Sequence, residues 1–422
     1  IRKHPETGYH EVESSKYLAR VFEDLGYDLT YAGDIPGFYT RVNTGRPGPE
    51  VLILAELDAL LCPSHKDANP HTGAAHACGH HLQCATLVGI AAALKEPHVL
   101  DNLCGSILLC AVPAEELLEI EYRQQLKKDG IIKYYGGKCE FLSRGYFDHV
   151  DLALMVHSGS TFGVNTIWNG FLLKNITYKG TTAHAGSTPW EGNNALYAAT
   201  CGMNAVNALR ETFKERDCVR FHPIITNGGN GVNSIPDKVT MDSYVRGSSL
   251  DAIERESKKV NQALIGAALS LNTNIEIIDT PGYAPLVNDR NMIELAKDAA
   301  MLAVPEEPFI VNEMPFTAST DMGNLSCIMP VIHPTISGCV GSLHSTDFKA
   351  ANLDMACIAS GKFQLAMLLL LLENDGKRAK EIIKNFKPRF ETKDAFLKYM
   401  DCAPVFGDRI CYHADGTAEV RL

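Results

Sequence analysis

The chain has 422 residues, enough for two or three domains, and its 45% hydrophobic and 21% charged residues are an ordinary globular mixture. A formal net charge of -11 argues against nucleic acid and anionic membranes as partners. Thirteen cysteines, an odd number, indicate reduced thiols rather than a disulfide framework, so we expect a cytoplasmic protein.

Three continuous apolar runs in the first part of the chain predict strands that are buried on both faces of a parallel sheet. They cover residues 50–60, 105–116 and 150–159. The stretches between them, at 83–96 and 119–130, have the composition and length of helices. This alternation of strands and helices predicts an α/β sandwich.

Each predicted strand ends in a side chain that can bind a metal. Asp58 follows the first, Glu115 and Glu116 follow the second, and His157 follows the third. In open α/β sheets, ligands bind beyond the carboxyl ends of the strands. The segment HACGHH, residues 76–81, lies between the first two strands at the start of a helix. We therefore expect this turn and the four strand-end side chains to share one rim of the sheet.

The pattern changes at about residue 168, where strands and helices follow the order β-α-β-β-α-β of a ferredoxin-like unit. The strands of this unit are predicted at 171–180, 218–229, 238–249 and 272–283, and its helices at 193–213 and 250–271. After this unit, the alternation of strands and helices that is typical of the α/β sandwich resumes with a helix at 291–303 and a strand at 327–337. The sequence thus predicts an α/β domain made of 1–167 and 286–422, which carries the candidate metal-binding residues and is interrupted by a small α+β domain at 168–285.

An apolar segment at 363–374 resembles part of a membrane span. It is too short to cross a bilayer, and Lys362 and Glu373 bracket its apolar residues. We expect a buried core helix there.

Eight blocks of sequence, in order along most of the chain, resemble the aminoacylase/carboxypeptidase family of dinuclear metal amidohydrolases, metallopeptidase family twenty. The blocks are ELDAL (56–60), HACGH (76–80), AVPAEE (111–116), MVHSG (155–159), TAHAGSTPWEGNNAL (182–196), NGVNSIPD (230–237), YVRG (244–247) and LHSTDF (343–348). The chain looks closest to the branch of indole-acetyl-amino-acid hydrolases and aminobenzoyl-glutamate hydrolases. The resemblance implies a zinc-peptidase-like α/β sandwich with an inserted lid or dimerisation domain.

The chain departs from this branch at three places. His81 stands where the branch usually has Asp or Asn, and the segment 61–73 is longer than the usual loop. The tail after about residue 380 matches nothing in the family pattern. The first two departures bear on the identity of the substrate rather than on the type of reaction. We interpret His76 and His81 as structural or pocket-lining residues rather than metal ligands.

The resemblance implies two divalent metal ions held by five side chains. Cys78 would bridge both metals as a thiolate. His80 and His157 would complete one metal, and Glu116 and His344 the other. Thiolate, imidazole and carboxylate together suit zinc, with manganese, cobalt or nickel as alternatives.

Two further carboxylates acquire roles from the same resemblance. Asp58 would orient His80 through the ring nitrogen that is not on the metal. The alternative for Asp58 is a helix or turn cap. Glu115 would act as the general base and then the general acid of the reaction. The alternative for Glu115 is a solvated neighbour of Glu116.

The inserted domain is expected to supply substrate contacts. The resemblance assigns His184 to the oxyanion, reaching in from the other subunit of a homodimer, and Asn233 and Arg246 to substrate binding. A guanidinium fork holds a carboxylate bidentately, which favours N-acyl amino acids or dipeptides as substrates. The alternative for Arg246 is a salt bridge on the strand surface.

Hydrolysis of an amide bond to release a free amino acid is therefore the predicted function. A ureido-type hydrolase acting on carbamoyl amino acids is one alternative, but that branch normally lacks the cysteine ligand, so Cys78 argues against it. A non-enzymatic metal-binding scaffold is the other alternative, and the retention of Glu115 argues against that one.

Overall fold

The computed structural model describes residues 1–401 and 407–422. The chain divides into two compact units. The first consists of Ile1–Ile167, Leu286–Met314 and Thr320–Phe396; the second consists of Trp168–Pro285, Pro315–Ser319 and Leu397–Leu422.

The secondary structure alternates along the chain. The strands are β1 (Thr30–Tyr31), β2 (Phe38–Asn43), β3 (Glu50–Glu56), β4 (Leu60–Leu61), β5 (Ala74–Ala75), β6 (Ser106–Val112), β7 (Leu152–Leu154), β8 (His157–Ser158), β9 (Gly163–Asn165), β10 (Ile167–Trp168), β11 (Gly170–Lys179), β12 (Arg220–Phe221), β13 (Ile224–Asn227), β14 (Lys238–Gly247), β15 (Asn274–Pro281), β16 (Leu286–Val287), β17 (Ile310–Asn312), β18 (Val331–Ile332), β19 (Thr335–Ile336), β20 (Cys339–Val340), β21 (Lys349–Ala350), β22 (Ile410–Tyr412) and β23 (Ala418–Val420). The helices are α1 (Val12–Asp24), α2 (His80–Leu94), α3 (Ile120–Lys128), α4 (Gly137–Ser143), α5 (Ala195–Leu209), α6 (Leu250–Ser270), α7 (Arg290–Ala303), α8 (Met322–Ser326), α9 (Ser360–Leu372), α10 (Lys377–Asn385) and α11 (Lys393–Met400).

The first unit is built around a six-stranded sheet in the order β1-β2-β6-β3-β7-β18. Strands β6, β3, β7 and β18 run parallel, while β1 and β2 are antiparallel additions at one edge. Every residue of β3 is buried, as its continuous apolar run predicts. Alternate residues of β3 and β6 enter one large core together with helices α1, α2, α7 and α9. The predicted α/β sandwich is confirmed.

The predicted strand at 150–159 is two short strands in different sheets. Strand β7 pairs with β3 and β18, whereas β8 pairs with β19 in a separate four-stranded sheet. The predicted strand at 327–337 is divided in the same way, into β18 and β19. Pro334 lies at that break, and a proline has no N–H to donate to a continuous ladder.

One helical stretch among the described residues, Asp354–Leu372, is long and apolar enough to cross a membrane. In the structure 61% of an apolar 18-residue stretch of this helix is buried. Phe363, Met367 and Leu371 of α9 lie in the core of the first unit. The segment at 363–374 is thus part of a core helix that ends at Leu372.

The second unit is an antiparallel sheet in the order β12-β14-β11-β15, with β13 also paired to β14. Strands β11 and β14 pair over ten residues, from Gly170 opposite Gly247 to Lys179 opposite Lys238. Helices α5 and α6 pack with the buried residues of this sheet in one apolar core. The observed order follows the predicted β-α-β-β-α-β order, except that the strand predicted at 218–229 is divided into β12 and β13.

The assignment of all of 286–422 to the first domain is wrong at two places. Residues 315–319 belong to the second unit, where the ring of Phe316 lies 4.6 Å from the ring of Trp168. Residues 397–401 and 407–422 belong there as well. The part of that prediction that concerns 402–406 lies outside the described residues.

Hydrogen bonds to β15 explain why residues 407–422 belong to the second unit. The backbone N–H of Arg409 donates to the carbonyl of Ile275 in β15 at 2.8 Å, and its guanidinium donates to the carbonyl of Ile277 at 2.8 Å. Ile410 is buried in the core formed by α5, α6 and the sheet. The tail therefore completes the β15 edge, which would otherwise expose unpaired backbone groups.

Two glycines, one in α5 and one in α6, give a matched test of how these helices pack in the second unit. A methyl group at Gly202 in α5 would overlap the hydroxyl of Tyr178, which is fully buried and bonds the carbonyl of Leu264. Gly266 in α6 has no atom within 4 Å of such a methyl group. We expect Gly202→Ala to lower the free energy of unfolding by about 1–3 kcal/mol. Gly266→Ala should raise it by about 0.5–1 kcal/mol, as measured by urea denaturation. Equal effects of the two changes would contradict the packing described here.

Candidate active site

The carboxyl ends of the parallel strands bring the predicted metal-binding residues to one edge of the first unit. Asp58 follows β3, Glu115 and Glu116 follow β6, and His157 opens β8 just after β7. All four side chains are buried. The rim expected from the strand-end pattern is therefore present, and it is shielded from bulk water.

The turn before α2 places a thiol and an imidazole at the same edge. Gly79 has φ of +95°, a left-handed conformation that a residue with a Cβ rarely adopts. This turn leads directly into His80, the first residue of α2. The donor atoms of Cys78, His80 and His157 all lie within 4.8 Å of one another. Cys78 Sγ lies 3.3 Å from His157 Nε2.

A second group of donors shares the same thiol. The donor atoms of Cys78, Glu116 and His344 also lie within 4.8 Å of one another. His344 Nε2 is 3.0 Å from Glu116 Oε1. The backbone N–H of His344 donates to the carbonyl of Ala77, which ties its loop to the HACGH turn. Cys78 thus belongs to both groups, as a bridging ligand would.

Asp58 holds both His80 and the segment that carries Glu116. Nδ1 of His80 lies 3.1 Å from Asp58 Oδ1 and 3.0 Å from the Asp58 carbonyl oxygen. The other carboxylate oxygen of Asp58 accepts a hydrogen bond from the backbone N–H of Glu116 at 2.8 Å. With Nδ1 occupied, Nε2 is the nitrogen of His80 that can face a cation.

The sequence patterns did not identify three residues of this site. Lys138 is fully buried, and its ammonium donates to Glu56 at 2.5 Å and to Asp321. The second oxygen of Glu56 accepts from Gln83 at 2.8 Å and lies 3.0 Å from His80 Nε2. A charged residue at the end of a fully buried strand was a signal for Glu56. Lys138 and Asp321 gave no comparable signal.

Burial and neighbouring charges shift the pKa values of the acidic groups on the rim. Burial raises the pKa of Glu115 well above its usual range, and the carboxylates of Glu56 and Glu116 raise it further. Burial also raises the pKa of the Cys78 thiol. Burial alone would raise the pKa of Glu116 too, but the hydrogen bond and charge of His344 hold it below its ordinary value. The rim therefore favours a protonated Glu115 and a protonated thiol until positive charge is added.

The donor set fits two divalent cations. The rim buries five carboxyl groups against one ammonium, that of Lys138; the five are Glu56, Asp58, Glu115, Glu116 and Asp321. His80 Nε2 is buried and faces carboxylate oxygens, with Glu56 Oε2 at 3.0 Å and Glu115 Oε2 at 3.9 Å. Buried negative charge of this density is stable only when cations or protons balance it. One thiolate, three imidazoles and one carboxylate are ligands typical of zinc and its neighbours.

The second unit carries the three remaining predicted site residues, and it is described here on its own. His184 is exposed, and its Nδ1 accepts hydrogen bonds from the backbone N–H groups of Gly186 and Ser187, each at 3.1 Å. Its proton is therefore on Nε2, which makes that nitrogen a donor. The segment containing Asn233 lies alongside, since the backbone N–H of Ala185 donates to the carbonyl of Asn233 at 2.9 Å.

Arg246 lies on β14 of the same unit. Its guanidinium donates to Ser319 Oγ at 2.7 Å and to His222 Nε2 at 3.1 Å, and it lies over the rings of Phe171 and Tyr244. Aromatic faces and neutral partners fix the position of the guanidinium while it keeps its charge. The structure thus places Arg246 on the inserted unit in an ordered, cationic position.

The model of peptidase family M20/M25/M40 matches residues 52–361 of the chain. The Xaa-Arg dipeptidase of Mus musculus is 29% identical over 350 residues, which cover 78% of this chain and 73% of that protein. One of the p-aminobenzoyl-glutamate hydrolase proteins of Escherichia coli K12 is 28% identical over 297 residues, which cover 65% of this chain and 55% of that protein.

A solved structure is similar in fold over most of the chain. The crystal structure of a dinuclear metal binding peptidase of the M20 family from Bacillus subtilis has a TM-score of 0.66 at 20% identity, over 88% of this chain and 95% of that chain. The family model extends from β3 to α9 and so spans both units. The resemblance inferred from the eight sequence blocks is confirmed, and the chain belongs to the peptidase family M20/M25/M40.

Proposed function

We propose that the protein is a metal-dependent amidohydrolase that cleaves the amide bond of an N-acyl amino acid or dipeptide and releases a free amino acid. The observation that carries this proposal is the thiol of Cys78, which belongs to both donor groups. Among the relatives, the mouse protein is a dipeptidase and the bacterial one hydrolyses p-aminobenzoyl-glutamate. The shared cysteine also argues against the ureido-type alternative.

Two zinc ions are the cofactor that we propose, with Cys78 shared between the two donor groups. Bound there, they would polarise the scissile carbonyl and lower the pKa of an attacking water to about 7. The buried carboxylates around them exclude bulk water and keep the ligands fixed. Asp58 holds His80 in the tautomer that presents Nε2.

Glu115 is the residue that we propose as proton carrier. Its Oε2 lies 3.9 Å from His80 Nε2, beside the donor groups that contain Cys78 but outside both of them. It can accept the proton of the attacking water and transfer it to the nitrogen of the leaving amine. A protonated carboxyl group is the acid that the leaving amine requires, and Glu115 would be in that form once it has taken the proton of the water.

The second unit is proposed to bind substrate and to form a cytoplasmic homodimer. His184 would donate its Nε2 proton to the oxyanion, while Asn233 and Arg246 would hold the carboxylate end of the substrate. Strand β13 supports the dimer. It pairs only with β14 among the described strands, and Ile224 and Ile225 are 63% and 40% exposed. An apolar edge strand of this kind is a natural surface for pairing with a second chain.

A turnover screen tests the reaction class. Purified, zinc-loaded protein is incubated with N-acyl amino acids, dipeptides and carbamoyl amino acids, and free amino acids are measured by mass spectrometry. We expect release from members of the first two groups and none from carbamoyl amino acids. Turnover of carbamoyl amino acids alone would refute the proposal.

Cys78→Ala tests the bridging thiol. Because Cys78 belongs to both donor groups, we expect this change to lower the metal content of the protein below the two ions per chain of the wild type. Cys84→Ala, a change at another buried cysteine of α2, is the matched control and should retain both ions. The measurement is elemental analysis after metal loading and removal of free metal. Full occupancy in Cys78→Ala would show that the thiol is not a ligand.

Glu115→Gln tests proton transfer. The amide has a similar shape but cannot carry a proton, so kcat should fall by roughly 10²–10⁴-fold while the metal content stays unchanged. Glu121→Gln, at an exposed position of α3, is the control and should turn over at the wild-type rate. Wild-type kcat in Glu115→Gln would remove this residue from the mechanism.

A complementation experiment tests whether the active site is shared between subunits. His184→Ala should lower kcat by about 10²–10³-fold through the loss of an oxyanion donor. Mixing this variant with Glu115→Gln under conditions of subunit exchange should restore part of the activity, because some mixed dimers contain one site without either change. Mixing two batches of His184→Ala should restore none. Absence of recovery despite exchange, followed with a differently tagged subunit, would argue for a site within one chain.

A further inference from the structure

The segment HACGHH contains two histidines that lie outside both Cys78 donor groups, His76 and His81. Both line a cavity of about 70 Å³ in the first unit. The other walls of this cavity come from the long segment at 61–73 and from Phe348 and the residues after it. The cavity is thus built from two of the places where the chain departs from its relatives' usual pattern.

The two imidazoles have unused hydrogen-bonding capacity. His76 is 6% exposed, and neither of its ring nitrogens has a hydrogen-bond partner among the described residues. Nδ1 of His81 is also buried and has no hydrogen-bond partner among the described residues. The two rings lie close together, with centroids 5.0 Å apart. Buried polar nitrogens in native proteins are normally paired, so this pair of rings indicates a bound polar group.

The charge around the cavity determines what that group is. Arg2, Lys66 and Lys349 line it, with Asp67 as the one acidic side chain in its wall. Asp67 is paired with Arg2 at 2.9 Å, and neither lysine forms an ion pair within the part of the chain that the structure describes. The cavity therefore has uncompensated positive charge, which favours an anion and disfavours a metal ion.

A third histidine that lines the cavity, His65, also argues against a metal ion there. His65 uses both of its nitrogens within the protein. Nε2 bonds the carbonyl of Phe348 at 2.9 Å, and Nδ1 accepts from the backbone N–H of Asp67 at 3.1 Å. His65 therefore fixes the segment 61–73 against the chain that follows His344, and it offers no free nitrogen for a metal.

We propose that this cavity binds a small oxyanion, a carboxylate or a phosphate, between the imidazoles of His76 and His81 and the ammonium groups of Lys66 and Lys349. Imidazole N–H groups and ammonium groups are the donors that oxyanions accept, and charge-assisted hydrogen bonds of this type are strong. The anion has two possible sources: a free ion in solution, or a second carboxylate on the side chain of the substrate. The binding of a free ion does not depend on the proposed amide hydrolysis.

The test for a free ion uses inorganic phosphate. Metal-loaded wild-type protein and the double variant Lys66→Met/Lys349→Met are titrated with phosphate by isothermal calorimetry. We expect the affinity of one phosphate site to fall roughly tenfold or more in the double variant, since two charged partners are lost. Phosphate bound elsewhere, for example at the catalytic metals, would retain its affinity. The matched control Lys384→Met/Lys387→Met removes two exposed lysines from another surface and should bind phosphate like the wild type.

The test for a substrate carboxylate compares N-acetylglutamate with N-acetylglutamine in the same proteins. A KM that rises only for the glutamate compound in Lys66→Met/Lys349→Met assigns the bound group to the substrate. An unchanged KM for both compounds together with weakened phosphate binding assigns the cavity to a free ion. If phosphate affinity and both KM values are unchanged in the double variant, the proposal is wrong.

Discussion

The ion-paired ammonium of Lys138 is the interaction on which the catalytic rim depends. It lies fully buried between the carboxylates of Glu56 and Asp321, and its own backbone N–H donates to Asp321 at 3.0 Å. The three residues come from the end of β3, the start of α4 and the residue before α8. A buried charge is tolerated only when its partners are complete, so this triad fixes three separate elements to one another. Loss of one partner would leave an uncompensated charge in the core.

The triad also determines the electrostatics of the donor groups. Burial would raise the pKa of Glu56, but the ammonium of Lys138 and the imidazole of His80 hold it below its ordinary value. Glu56 therefore remains a carboxylate beside His80, where it adds negative charge to the rim. That charge raises the pKa of Glu115, the residue that we propose as proton carrier. The same low-dielectric setting that strengthens the ion pairs of Lys138 thus also raises the pKa of the Glu115 carboxyl group.

The sequence predicted the residues of this site that follow local patterns, and it missed the residues that are brought together from distant parts of the chain. The apolar run of β3 and the side chains after it are local patterns, so Asp58, Glu115, Glu116 and His157 could be placed on one rim. Lys138 and Asp321 are 183 residues apart, and nothing in either local sequence indicates the other. The pairing of the tail with β15 was missed for the same reason, because Arg409 and Ile277 are 132 residues apart. His344, which stands alone in a loop, was a ligand candidate from the sequence, but its assignment to a particular metal came only from the family resemblance.

The position of His344 has a consequence for how the proposed cations would enter and leave the site. Its side chain is 52% exposed, its backbone has φ of +64°, and its segment is not part of the central sheet. His80 and His157 are 1% and 6% exposed and belong to a helix and a strand. If the two proposed cations bind to these donors, their coordination spheres would differ in kinetic lability. The cation beside His344 would exchange with solvent by rotation of one surface side chain, whereas the other would leave only after the core opens. Chelation would proceed in two phases, and mixed-metal forms would be accessible by partial replacement.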